Sequence, residues 1–263
     1  MREIRTIELK SIQLDILQKI DSFCQENNIN YFLSYGTLIG CIRHNGYIPW
    51  DDDIDICMPR PDYERFITLF NKNTDQHKVI EHRIENSYKL PFAKVYNTNT
   101  IMNEDMYIKD SFGVYIDIFP IDGINSSKQI KQSLFLNKLL NTKRAIINNN
   151  KRSILKRALL TLGKAIIYPI TIHYIINKIT KIATATSYVD AKFVANIVSP
   201  YGECEIMPKE YFNELNTHSF EGKNFKIPKE FDKYLKSIYG EYMVLPPIEK
   251  QISHHSFEAW WKE

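Results

Sequence analysis

The sequence predicts an α+β (mixed α/β) fold with a helical insertion, and three observations carry that prediction. Segments with helical and strand periodicity alternate over the first 124 or so residues, which is the pattern of a sheet covered by helices. Residues 128–189 then keep helical spacing and hold twelve Lys or Arg with no Asp or Glu. With 263 residues, 44% hydrophobic and 25% charged, the chain can bury a sizeable core.

Residues 4–28 read as a helix, because Leu9, Ile12, Ile16, Ile20 and Phe23 recur at three- and four-residue steps and "ENNIN" ends the pattern. "YFLSYG" reads as a short strand ending at Gly36, "GTLIGCIRH" as a turn and helical stretch, and "NGYIPW" as a loop. Pro49 cannot donate to a ladder, so the next strand starts after it, near Asp53, and runs "DIDICM". "RPDYERFITLFNK" follows as a helix with Phe66, Leu69 and Phe70 inward, and "HKVIEH", "FAKVYN" and "GVYIDIFPI" read as strands. The last third mixes short elements with a helix in "KEFDKYLKSIYG". These readings divide the chain into a core (1–127), a basic helical insertion (128–189) and a C-terminal segment that packs on the core (190–263).

The chemistry is concentrated in "WDDDIDICMP". Residues two apart on a strand share a face, so Asp53 and Asp55 point one way while Ile54 and Ile56 point into the core. Two carboxylates held together beside a buried face raise each other's pKa, and a divalent cation removes that conflict. Mg²⁺ (or Mn²⁺) suits the site, since such hard ions take one or two carboxylates together with substrate phosphates. "YIDIFP" repeats the design with Asp117 between Ile116 and Ile118, so neighbouring strands would join Asp53, Asp55 and Asp117 in one metal-binding and catalytic cluster. Upstream, Gly36 and the hydroxyl of Thr37 precede a helix start, where free backbone N–H groups can hold phosphate oxygens. Asp51 and Asp52 read as loop or supporting residues, and Asp122 in "PIDG" as a turn residue.

"YGTLIGCIRHNGYIPWDDDIDI" (35–56), "FAKVYNTNT" (92–100), "YIDIFPIDG" (115–123), "FEGKNFKIP" (220–228) and "YGEYMVLPPIEKQISHH" (239–255) together resemble the LicD family, which includes bacterial phosphocholine transferases and fukutin-type domains. The resemblance spans nearly the whole chain and implies a nucleotidyltransferase-fold core. It makes Gly36 and Thr37 the glycine–hydroxyl pair, Asp53 and Asp55 metal ligands, and Asp117 the third acid. It also implies transfer of a phosphodiester-linked group from a CDP-linked donor to a sugar hydroxyl. For CDP-choline the acceptor would be a cell-surface glycan precursor of the lipopolysaccharide or teichoic acid type, free or lipid-linked, and CMP would leave. CDP-ribitol or CDP-glycerol, nucleotidyl transfer, and a non-catalytic membrane- or glycan-binding module stay open as alternatives.

Arg43 and Lys94 are candidates for donor phosphate contacts, Arg43 because its fork grips two oxygens. A quaternary ammonium wants an aromatic cage. Trp50, beside the aspartates, is the best-placed ring, with Tyr35, Tyr115, Trp260 and Trp261 as further candidates. His254 and His255 lack partners at zinc spacing and read as capping or surface residues, with a phosphate or acceptor contact as the other reading.

The insertion leaves 22 of the 34 basic residues, against all 31 acidic ones, for the rest of the chain. "RALLTLGKAIIYPITIHYIINKIT" is too aliphatic for a nucleic-acid face, so no nucleic-acid partner is expected. The longest uncharged run, Ala165 to Asn177, has 13 residues and contains Pro169, too short for about 30 Å of hydrocarbon. A cationic amphipathic helix on an anionic membrane surface fits best, beside the plainer reading of a solvated basic face. The N-terminus lacks a signal-peptide core, and Cys24, Cys41, Cys57 and Cys204 form no C-x-x-C pair. The expected location is therefore the cytoplasm, peripheral at the inner face of the membrane.

Overall fold

The computed structural model describes residues 1–72, 76–104, 112–147, 153–252 and 257–263. In chain order these form β1 (Arg2–Glu3), α1 (Thr6–Glu26), β2 (Phe32–Leu33), α2 (Tyr35–His44), β3 (Asp55–Pro59) and α3 (Arg60–Leu69). Next come β4 (His77–Ile80), β5 (Ala93–Asn97), β6 (Thr100–Glu104), β7 (Tyr115–Ile124), α4 (Ser127–Arg144), α5 (Ile154–Ile166) and α6 (Ile172–Ala183). The chain closes with β8 (Phe193–Ala195), β9 (Met207–Pro208), β10 (Leu215–Phe220), β11 (Lys223–Pro228), α7 (Phe231–Tyr239) and β12 (Phe257–Trp261). The fold is α+β with a mixed sheet, as the sequence predicts.

The main sheet runs β2-β3-β7-β5-β4, and β8 and β9 extend it from the far end of β7. Only β3 and β7 pair in parallel; the rest of the path is antiparallel. Their register sets Asp55 opposite Asp117 and Pro59 opposite Ile121. The isoleucines around both acids (Ile54, Ile56, Ile116 and Ile118) are fully buried, and they hold the two strands to the core while the acids face out of it.

α1 lies along the sheet with Leu9, Ile12, Ile16, Ile20 and Phe23 buried, the face its spacing predicts. Its Gln13 is buried too. The Gln13 side-chain amide donates to the Asp52 carbonyl (3.0 Å) and the Tyr115 carbonyl (3.3 Å), fastening the aspartate loop to the start of β7. α3 buries Tyr63, Phe66 and Ile67, with Phe70 buried just past its end.

Two local readings need correction. The strand at "YFLSYG" stops at Leu33, and Gly36 lies in the first turn of α2. Ser34 N donates to the Asp55 carbonyl, and Tyr35 then adopts φ +50°, which turns the chain abruptly into the helix. Asp122 is no turn residue. It sits fully buried on β7 and accepts two bonds from Arg60.

The 128–189 stretch forms helices with side-chain oxygens at their starts: Ser126, Ser153 and Thr171 accept from backbone N–H groups of α4, α5 and α6. α4 and α6 share a small core of Leu140, Ile175, Ile176 and Ile179. The C-terminal ribbon β10–β11 and α7 join the main core through Phe220, Phe225, Ile227, Tyr234 and Leu235. β12 pairs with β1 and β6 in a separate three-stranded sheet. His254 and His255 lie outside the described residues.

Candidate active site

A cleft of about 710 Å³ opens at the end of the main sheet where β3 and β7 begin. Asp55 enters it from the start of β3, Asp117 from β7, and Asp51 and Asp53 from the preceding loop, because the strand begins at Asp55 and not near Asp53 as the spacing suggests. Gly36 lines the same cleft from α2; a Cβ there would stand 2.7 Å from Asp51 Oδ2, so only glycine lets that carboxylate rest against the helix start. Thr37 is 3% exposed, and its Oγ1 accepts from the Asp55 backbone N–H at 2.8 Å. The hydroxyl thus ties α2 to β3 and fixes where the Asp55 carboxyl emerges.

Four like charges crowd this end of the cleft. Burial first, and then the Asp53, Asp117 and Asp51 carboxylates, push the Asp55 carboxyl well above the usual carboxylate range, with Lys94 pulling the other way. The Lys94 stem is buried, and its ammonium donates to Asp117 Oδ1 at 2.5 Å while lying 3.3 Å from the centre of the Tyr115 ring. Lys94 therefore orients Asp117 and offsets part of the local charge.

The acids fit a hard cation by donor chemistry, being oxygen donors whose repulsion a cation relieves. Among the described residues, no three His, Cys, Asp or Glu are gathered tightly enough to enclose an ion by themselves.

Much of the remaining lining is aromatic. Phe92 and Phe119 have ring centres 4.5 Å apart, Tyr35 meets Phe119 edge-on at 5.7 Å and stacks with Tyr201 at 5.9 Å, and Tyr201 meets Tyr239 at 5.2 Å. Trp50 lines the cleft beside the aspartates. Trp50 and Tyr35 are thus at the site, as the sequence suggests. Tyr115 is instead covered by Lys94. Trp260 and Trp261 stand on β12, where Trp261 Nε1 donates to Glu8 Oε1, far from a cage role. Arg43 is outside the cleft lining as well; its Nη1 donates to the Tyr242 carbonyl and its Nε to His44.

Sequence reasoning misses Phe92, Phe119, Tyr201 and Tyr239. Phe119 was accessible, since it follows Asp117 by two residues on one strand and shares its side of the sheet. The two tyrosines come from distant segments with no local signal.

Behind this wall lies a buried polar anchor. The Tyr35 hydroxyl donates to Glu205 Oε1 at 2.9 Å and accepts from Asn196 Nδ2 at 2.8 Å. Burial pushes the Glu205 carboxyl up from 4.5 to about 7, against the pull of hydrogen bonds from Ser199 and Tyr35. A carboxyl raised in the folded state binds its proton more tightly there than when unfolded. Its contribution to stability is full below about pH 4.5 and is lost as pH rises to about 7. Urea midpoints measured across that window should fall with pH in the wild type and fall less steeply in Glu205→Gln.

Residues 28–155 match the family described as "LicD/FKTN/FKRP, nucleotidyltransferase domain". Over 271 aligned residues the chain is 32% identical to the lipopolysaccharide cholinephosphotransferase LicD of Haemophilus influenzae, covering 99% of both proteins. Shorter matches reach two uncharacterised Rickettsia proteins. One from R. typhi is 32% identical over 33% of this chain and 27% of its own length; one from R. prowazekii is 37% identical over 21% of each.

Proposed function

The chain belongs to the LicD family, and from that premise we propose that it is an enzyme transferring phosphocholine from CDP-choline to a hydroxyl of a cell-surface glycan precursor, with CMP as the second product. The observation that carries this reading is a single cleft lined both by Asp51, Asp53, Asp55 and Asp117 and by a connected run of aromatic rings. Carboxylates suit a cation-bound diphosphate, and aromatic faces suit a quaternary ammonium. A polyol cargo such as ribitol or glycerol has no cation for such a wall to bind, so the wall favours choline.

In the reaction the acceptor oxygen forms a bond to the phosphorus bearing choline, the bridging P–O bond breaks with its electron pair going to CMP, and the acceptor loses its proton. Asp117, oriented by Lys94, takes that proton. Asp53 and Asp55 are the residues that would hold an Mg²⁺ or Mn²⁺, whose charge would supply neutralisation of the diphosphate and of the departing CMP. Thr37 keeps Asp55 in place from behind, and Gly36 lets Asp51 close the same edge of the cleft. Trp50 and the Phe92–Tyr239 wall receive the trimethylammonium group and hold the donor so that its phosphorus faces the acids.

The acceptor would be carried on a lipid at the membrane's cytoplasmic face, with the enzyme attached peripherally. No helix among the described residues is long and apolar enough to cross a membrane.

The test is to incubate the protein with Mg²⁺, a glycan acceptor and each of CDP-choline, CDP-ribitol and CDP-glycerol in turn. CMP release and a phosphocholine mass on the acceptor are expected with CDP-choline alone. Turnover of a polyol donor instead would overturn the cargo assignment. Release of pyrophosphate from a nucleoside triphosphate, with nucleotide left on the acceptor, would overturn the reaction class.

A further inference from the structure

α5 is amphipathic, yet it sits in the fold the wrong way round for a soluble helix. At 100° per residue, Leu155, Leu159, Leu162 and Ile166 fall within one narrow arc, and Ile154 and the small residues Ala158 and Ala165 flank it. In a water-soluble bundle this stripe would face the core. Here it faces out: Leu155 is 69% exposed, Leu159 60%, Leu162 60% and Ile166 70%, and α5 has no buried residue at all. The partly covered positions are Arg157, Leu160, Gly163 and Lys164, on the opposite side of the helix. A Cβ on Gly163 would lie 3.5 Å from Thr142 Cγ2, which places that side against α4. The stripe continues past the helix end to Tyr168, 82% exposed, whose carbonyl accepts from Lys143 Nζ.

The charge around the stripe has one sign. α5 carries Lys156, Arg157 and Lys164, and the whole 128–189 stretch has twelve basic and no acidic side chains. An exposed apolar stripe of this size invites a partner. A cationic segment with no acid of its own favours an anionic partner whose surface is apolar just beneath the charge, although Lys131 on α4 is paired with Glu203 from outside the segment.

We propose that α5 is the membrane anchor of this protein: it lies in the plane of an anionic bilayer, with Leu155, Leu159, Leu162 and Ile166 at the acyl boundary and the exposed Lys156 among the headgroups. This goes beyond the reading of the catalytic cleft and rests on it only for where the acceptor is met. A lipid-borne acceptor and a surface-bound enzyme then meet in two dimensions, which raises their encounter rate without any new contact at the cleft.

The experiment is co-sedimentation of the full chain with phosphatidylglycerol–phosphatidylcholine vesicles and with phosphatidylcholine vesicles, at low and high salt, beside the double variant Leu159→Ser/Leu162→Ser. Binding to the anionic vesicles that weakens with salt is expected, and the double variant should bind roughly tenfold or more weakly. Both serines replace exposed side chains, so the variant should keep its thermal midpoint and its turnover of a lipid-free acceptor. Ile7→Ser, at an apolar residue 87% exposed on α1, should bind like the wild type. Absence of binding to anionic vesicles at either salt would overturn the proposal, as would equal binding by the double variant. A mass in solution twice that of the chain, returned to one copy by the double variant, would overturn it by making the stripe a self-association face. Loss of turnover with a lipid-free acceptor bears on the catalytic reading instead, so the two can fail separately.

Discussion

Asp55→Asn should lower turnover by on the order of 10³-fold and leave the protein at least as stable as the wild type. The two effects have one cause. Asp55 emerges beside Asp53, Asp51 and Asp117, with Lys94 offsetting part of their effect on it. Asparagine keeps the shape and the backbone N–H that donates to Thr37, so the fold loses no contact from that exchange. It removes an ionisable carboxyl from a buried, crowded set where ionising it is costly, which is neutral or favourable for folding and ruinous for holding a cation and a diphosphate. Functional sites commonly trade stability in this way. Thermal midpoint and CMP release, measured on the same preparation, check both halves. Retained activity would remove Asp55 from the mechanism; lost activity with a collapsed midpoint would make it structural.

What the sequence disclosed depends on how far apart in the chain the cooperating residues lie. Asp55 and Asp117 were legible because each breaks an apolar strand, and a carboxylate on an otherwise buried strand needs a reason; Asp53 was read with them from its two-residue spacing, though it lies in the loop just before β3. Period-2 spacing separated Asp53 and Asp55 from Asp52, whose carbonyl is instead held by Gln13. Helix α1 was legible for the same kind of reason, a long regular pattern read over several turns. The aromatic wall was not. Phe92, Phe119, Tyr201 and Tyr239 meet only because β5, β7 and the segments around residues 201 and 239 converge on one cleft, and an isolated Tyr or Phe has the local signature of a core residue. Arg43 and Trp261 failed in the other direction, since a chemically suitable side chain is no guide to where the backbone carries it. The reversed burial of α5 is visible only once the fold shows which side meets α4; periodicity reports that a helix is amphipathic and is silent about which face is covered.

Asp122→Ala should be the most destabilising single change in the core sheet, costing about 3–5 kcal/mol. Asp122 is fully buried and Arg60 nearly so, with its side chain 13% exposed, and the pair is bidentate: Nε to Oδ1 at 2.6 Å and Nη2 to Oδ2 at 3.0 Å. Burial alone would lower the Arg60 guanidinium, and the Asp122 carboxylate more than offsets it, so the group stays charged. Alanine would leave that charge nearly buried, with Glu64 at the rim and the Tyr63 ring as its remaining partners among the described residues. At about 2–4 °C per kcal/mol for a chain of this size, the thermal midpoint should fall by on the order of 10 °C. The position of the pair explains why so expensive an arrangement is present. Arg60 directly follows β3, Asp122 lies near the end of β7, and the two strands pair in parallel from Asp55–Asp117 to Pro59–Ile121. The ion pair therefore pins the register of the two strands at the end opposite the acids, about 17 Å from them at roughly 3.3 Å per residue. A slip of one residue would turn either acid into the core. If registry is its purpose, the double variant Arg60→Met/Asp122→Leu should recover much of the stability, since an apolar pair satisfies the buried volume without a stranded charge. Turnover per folded molecule should then stay near the wild-type value in Asp122→Ala at low temperature and fall in the double variant in proportion to any loss of register. Amide exchange along β3 and β7 would report that loss directly: unchanged protection in both variants would deny the pair a registry role and leave it a local element of stability.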